Sequence, residues 1–182
     1  MSKIFLSHSS DNNAEALALA QWLKENGWDD YFLDIEPTRG ISPGERWQHS
    51  LKQAAQYCEL IILLISPAWR DSPWCIAECL VAKLHGKRIF GVLIEPVALE
   101  SLPSVITAEW QLCDLLQGEK QRSFQVKHDP VVPTTTVSFS EVGLTKLKIG
   151  LQRVGLDSRY FPWPPPDPDE RNRSPYRGLK AL

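Results

Sequence analysis

The sequence predicts an α/β domain built on a doubly wound sheet of five parallel strands, and three observations carry that prediction. Short apolar runs of strand length alternate with segments of helical period from the N-terminus to Ile94, the order that lays helices on both faces of a parallel sheet through right-handed crossovers. One run, Leu60 to Ile65, is apolar at every position, as a strand covered on both faces must be. A chain of 182 residues, 43% of them apolar, also has enough material for one sizeable core.

Taken in order, Lys3-Ile4-Phe5-Leu6-Ser7 is a buried strand that ends in the polar loop His8-Ser9-Ser10-Asp11. A helix follows, with Asn12 and Glu15 spaced as a capping box, Ala16, Leu19, Ala20 and Leu23 as one apolar stripe, and Gly27 as its stop. Tyr31-Phe32-Leu33 is the second strand, closed by Asp34. The run Ile35 to Gly44 holds two prolines and two glycines, which rule out regular structure and mark a shaped loop. Glu45 to Tyr57 carries Trp47, Leu51, Ala54 and Ala55 at helical spacing, and Leu60 to Ile65 is the third strand. Ser72 as N-cap, Pro73 at the first helical position and Gly86 as stop bound the next helix, after which Arg88 to Ile94 repeats the strand signal. Trp110 to Leu115 is expected as a fifth, edge strand. Glu119 to Val137, with charges, Pro130, Pro133 and a threonine run, reads as irregular. A last helix is capped by Ser140, with Phe139 and Leu144 as a hydrophobic staple, Leu144, Leu147, Leu151 and Val154 on one face, and Gly155 at its close.

Five strands of this kind commonly take the order 2-1-3-4-5, and ligands bind outside their carboxyl ends where the order reverses, between the first and third strands. Ser7-His8-Ser9 emerges there, as does the helix that begins at Pro73, with Asp34 next door. Trp74 and Glu78 lie four residues apart on one face of that helix, near the end where the backbone dipole favours negative charge. A carboxylate beside an indole suits a cationic, aromatic ligand. The same pair is also what a solvated helix residue and a packing anchor look like, and spacing alone does not separate the two.

Composition removes several classes. The net charge is −2 with Lys and Arg scattered, so the electrostatic footprint of a nucleic-acid binder is absent. No apolar run approaches a membrane span and no signal peptide pattern opens the chain, so a soluble, cytoplasmic protein is expected. Cys58, Cys75, Cys79 and Cys113, and likewise His8, His49, His85 and His128, lack the spacing of a metal site, so reduced cysteines and no metal are expected.

Five ordered stretches then carry a family resemblance: Ile4-Phe5-Leu6-Ser7-His8-Ser9 with Asp11, Phe32-Leu33-Asp34, Pro43-Gly44-Glu45-Arg46-Trp47, Leu63-Leu64-Ile65-Ser66-Pro67, and Ser72-Pro73-Trp74-Cys75-Ile76-Ala77-Glu78. Together they resemble the Toll/interleukin-1 receptor (TIR) domain, most closely its bacterial members, over residues 1–156. The resemblance implies a flavodoxin-like sheet. It also implies that the loop with Glu36, Arg39, Gly40, Ile41, Pro43 and Gly44 is the BB loop through which such domains self-associate.

Many TIR domains are NAD+ glycohydrolases whose catalytic glutamate matches Glu78, so the resemblance implies NAD+ as a substrate, with no further cofactor. It further implies Trp74 and Trp47 as stacking partners of the nicotinamide, Asp34 as a ribose or amide contact, and Ser7, His8 and Ser9 along the nucleotide. Ser9 stands where some relatives carry a basic residue. Each of these positions has a purely structural reading as well: a helix-packing aromatic for Trp47, a turn cap for Asp34, and a hydrogen-bonded loop histidine for His8.

Beyond Asp157 the proline-rich run Phe161 to Asp169 reads as a stiff linker, and Ser174-Pro175-Tyr176-Arg177-Gly178-Leu179 resembles the segment that introduces a STAND-type ATPase in bacterial signalling proteins. The expected organisation is a TIR domain over 1–156 and a linker over 157–182 leading to ATPase and sensor domains. The expected function is an NAD+-consuming effector activated by oligomerisation in antiphage defence, with other TIR domains as partners. The alternative is a non-catalytic TIR–TIR assembly or adaptor module. A phosphoacceptor receiver shares the topology but needs acidic residues where this chain has Ser7 and Ser66.

Overall fold

A computed structural model of the protein describes residues 3–33, 58–107, 112–127 and 133–154. The expected helix over 45–57, Asp34, Trp47, the BB-loop residues Glu36, Arg39, Gly40, Ile41, Pro43 and Gly44, and the 157–182 linker lie outside the described residues.

Strands β1 (Ile4–Ser7), β2 (Tyr31–Leu33), β3 (Leu60–Ile65), β4 (Arg88–Leu93) and β5 (Cys113–Asp114) form a parallel sheet in the order β2-β1-β3-β4-β5. The flavodoxin-like topology is therefore as the alternation predicts. The central strand β3 is buried at all six positions, and its side chains alternate between two cores. Leu60, Ile62 and Leu64 face α1 (Asn13–Glu25) together with Ile4 and Leu6. Ile61, Leu63 and Ile65 face the other layer with Phe5. That layer holds α2 (Pro67–Asp71), α3 (Pro73–Leu84) and the single turn α4 (Ser104–Thr107). Each such aliphatic side chain contributes roughly 1.5–3 kcal/mol on burial, so the six of β3 anchor both layers at once. Within the expected fifth strand, Cys113 and Asp114 pair with Val92 and Leu93, while Trp110 lies outside the described residues.

Three local expectations hold in detail. Ser72 accepts from the Cys75 N–H as N-cap of α3, and Gly86 leaves that helix with φ +63°, a conformation only glycine adopts without strain. Ser140 caps α5 (Glu141–Arg153) by accepting from the Gly143 N–H, and Leu144, Leu147 and Leu151 are buried beneath it. The stripe Ala16, Leu19, Ala20 and Leu23 of α1 is likewise buried.

Two expectations are corrected. Residues 119–137 are not irregular throughout: β6 (Gln121–Val126) and β7 (Thr135–Ser140) form an antiparallel hairpin in register Gln121↔Ser140 to Val126↔Thr135. Phe124 and Val126 alternate with polar residues on one strand, Val137 and Phe139 on the other, and all four join the core on the α1 and α5 side. Period-two burial on one face overrides the polar composition. Asn12, in turn, makes no capping bond to α1. Ser9 starts that segment by accepting from the Asp11 N–H ahead of a 3-10 turn, Ser10–Asn12, which frees the Asn12 side chain for the interior.

Candidate functional site

The site begins with strand parity. Successive side chains of a strand point to opposite faces, so Ser7, two residues beyond Phe5, faces the α3 layer. Glu78 is one turn into α3 on the facing side. The two meet across 71 residues of sequence, where Ser7 Oγ donates to Glu78 Oε2 at 2.5 Å. Ser7 is 1% exposed and Glu78 is half-buried, so the hydroxyl lies beneath the carboxylate.

Around them opens a cleft of about 110 Å³, continuous with solvent, at the carboxyl end of β1. Its walls are the Ser7-His8-Ser9-Ser10 loop, Asn13, and Ser72, Trp74, Cys75 and Glu78 at the start of α3. Trp74 is 46% exposed, an unusual setting for so large an apolar side chain. His8 Nε2 bonds Asn13 Oδ1 at 2.9 Å, and the Cys75 thiol donates to the His8 carbonyl at 3.4 Å, which ties the loop to the helix. Burial, reinforced by the nearby Glu78 charge, pushes the Cys75 thiol up to about 12, so it is a neutral donor rather than a nucleophile.

The structure thus brings together Glu78, Trp74, Ser7, His8 and Ser9 from the predicted set. Ser9 is nearly buried, its hydroxyl engaged with the Asp11 N–H at 3.4 Å. Asp34 and Trp47 lie outside the described residues.

Sequence reasoning missed the support beneath the cleft. Trp69 is fully buried on the short helix α2, and its indole Nε1 donates to Ser7 Oγ at 3.1 Å. Ser66 caps α2 by accepting from the Trp69 N–H at 3.0 Å and donates to Asn12 Oδ1 at 2.6 Å. Asn12, 2% exposed, donates to Glu95 Oε1 at 2.5 Å just beyond β4. Loops after β1, β3 and β4 are cross-linked in this way at the edge where the cleft opens. Ser-Pro-x-Trp is a local cap signal that marks α2 in the sequence; the reach to Asn12 and Glu95 has no periodic signature.

Among the described residues there is no group of three or more His, Cys, Asp or Glu side chains able to hold a metal ion, and no helix long and apolar enough to cross a membrane. The four cysteines are free, with Cys58, Cys75 and Cys79 buried.

Comparison with known proteins agrees with this architecture. The TIR domain family profile matches residues 4–127. Among solved structures, the chain is similar to the TIR domain of the Toll-related receptor TRR-2 from the lower metazoan Hydra magnipapillata, with a TM-score of 0.51 and 16% identity over 63% of this chain and 84% of that one. At that identity the likeness is one of fold. No curated protein matches the sequence. TIR domains are signalling modules that associate with other TIR domains, and with the family profile spanning β1 to β6 and the sheet in its order, the chain belongs to the TIR domain family.

Proposed function

We propose that the protein is an NAD+ glycohydrolase in which Glu78 is the catalytic residue, and that it is active when TIR domains cluster. The observation that carries the reading is the Glu78 carboxylate, held by Ser7 at 2.5 Å on the wall of a solvent-open cleft beside the half-exposed Trp74.

The chemistry asks for little more. The nicotinamide of NAD+ is a cation, so when the bond from ribose carbon to nitrogen breaks, the electron pair leaves with a neutral ring and no acid is required. Positive charge develops on the ribosyl carbon and ring oxygen as an oxocarbenium ion. One carboxylate stabilises that charge, where ordinary glycosidases need a second carboxyl group as acid. Water then adds to the carbon and loses its proton, leaving ADP-ribose and nicotinamide. Capture by a group of the nucleotide itself instead of water gives a cyclic product. Trp74 supplies a π face to the cationic ring. His8 and Ser9 border the nucleotide, and Asp34 and Trp47 complete the substrate contacts.

In this reading the domain occupies residues 1–156 and the linker 157–182 joins it to ATPase and sensor domains of a cytoplasmic antiphage defence protein. Clustering by those domains, through the Glu36–Gly44 loop, switches the activity on. The test is incubation of the protein, free and tethered at high density on a scaffold, with NAD+, the products being resolved by mass. Nicotinamide and ADP-ribose from the tethered protein support the reading. TIR–TIR association with intact NAD+ at every density replaces it with the adaptor alternative.

A further inference from the structure

We propose that Trp69 and Ser7 form a directed hydrogen-bond relay that holds the Glu78 carboxylate in its ionised form, Trp69 being a positioning residue that acts only through Ser7. The catalytic meaning of the relay rests on the hydrolase reading above, whereas its chemistry does not.

The direction follows from the donor inventory. An indole N–H donates and cannot accept. Trp69 Nε1 therefore occupies one of the two lone pairs of Ser7 Oγ at 3.1 Å, and the single hydroxyl proton is donated to Glu78 Oε2, 2.5 Å away. A protonated Glu78 offering its own proton to that oxygen would displace the serine proton from its bond to the carboxyl group. Hydrogen bonds donated to a carboxylate favour its charged form, so this geometry selects the carboxylate.

The relay is rigid at its base. Trp69 is fully buried, its backbone N–H is held by Ser66, and Ser66 is held through Asn12 to Glu95. The indole is thus fixed in place by three successive polar contacts that reach across β3 to the end of β4. Cys75 abuts the same hydroxyl, but its thiol is spent on the His8 carbonyl at 3.4 Å. With burial pushing that thiol up to about 12, no thiolate competes for the serine proton.

Other titratable groups at this end are few among the described residues. His8 and Asp11 come from the loop and turn after β1, Glu95 from the segment after β4, where its carboxylate accepts from Asn12, and Cys75 and Cys79 lie on α3 itself. On α2, Arg70 and Asp71 neutralise each other at 2.7 Å. The strand β3 has none, and Arg88 of β4 sits at the opposite end of its strand, bonded to the Val154 carbonyl.

The experiment is a side-chain carboxyl NMR titration of protein carrying 13C-labelled glutamate, with the Glu78 resonance assigned by its loss in Glu78→Gln. Wild type, Ser7→Ala and Trp69→Phe are compared, and the pH dependence of nicotinamide release from NAD+ by clustered protein is measured beside them. Ser7→Ala raises the Glu78 midpoint by about one pH unit. Trp69→Phe raises it by less, because the hydroxyl remains but is free to turn, and the acid limb of NAD+ cleavage moves upward with each midpoint. A Glu78 midpoint that is unchanged or lower in Ser7→Ala overturns the relay. Ser7→Ala removes one hydroxyl and decides alone if Trp69→Phe folds poorly. Shifted midpoints with no NAD+ cleavage by any form leave the relay standing and remove the hydrolase reading; cleavage with an unmoved midpoint does the reverse.

Discussion

Ser7 closes β1 and Glu78 lies one turn into α3, and the 2.5 Å hydrogen bond between them joins the sheet to the helix at the cleft. It places an acidic group where the order of a doubly wound sheet reverses, the position at which such folds bind ligands. The remaining features of the cleft follow from that contact: Trp74 is carried to its rim by the same helix, and His8 follows Ser7 in the chain.

Trp74 is the side chain whose loss separates binding from folding. At 46% exposure it contributes little to the core, so Trp74→Ala leaves thermal stability within about 0.5 kcal/mol. Its π face toward a cationic ring is worth about 0.5–2 kcal/mol, so KM for NAD+ rises about 2- to 30-fold with the fold intact. Steady-state kinetics and a thermal melt on the same preparation check this, and an unaltered KM removes Trp74 from the substrate contacts.

Asn12 tests the polar support. Asn12→Ala deprives the Ser66 hydroxyl of its acceptor and Glu95 of its donor within a nearly closed environment. Leaving such groups unmade costs about 1–3 kcal/mol, which lowers Tm by several degrees in a chain of this size. A melt superimposable on wild type would show that water replaces both contacts without cost.

The thiols give the pH dependence of stability. Burial raises Cys58 and Cys79 to about 11 and Cys75 to about 12 from an ordinary value near 9. Between those limits the unfolded chain has already lost these protons while the folded one retains them, so rising pH favours unfolding. Stability contributed by the neutral thiols is therefore complete below about pH 9 and is lost as pH climbs through the folded values. Denaturant midpoints measured across that window fall. A thiol reagent at about pH 8 labels the three buried cysteines only after denaturation, and rapid labelling in the native state contradicts their assignment.

The legible parts of the fold were those set by local period. Leu60 to Ile65 declares a doubly covered strand, Ser72-Pro73 declares a helix start, and the alternation of the two declares a parallel doubly wound sheet, which has the order common to such five-stranded sheets. The hairpin β6–β7 was hidden because each strand buries only two apolar residues among polar ones, Phe124 with Val126 and Val137 with Phe139, and the prolines between them suggested disorder of pattern. In the site, Glu78 and Trp74 were readable because four residues is one helical turn. The Asn12–Ser66 and Asn12–Glu95 bonds span 54 and 83 residues, and Trp69 reaches Ser7 across 62. Such partners are set by how crossovers stack loops at a sheet edge, which no window of sequence contains.

The central claim is that Glu78 performs the chemistry, and the most direct measurement is nicotinamide release from NAD+ by clustered wild type and clustered Glu78→Ala, with matched circular dichroism and equal clustering. Loss of the single carboxylate that stabilises the ribosyl cation is predicted to lower the rate by at least about 100-fold. A Glu78→Ala protein that releases nicotinamide at the wild-type rate would contradict it.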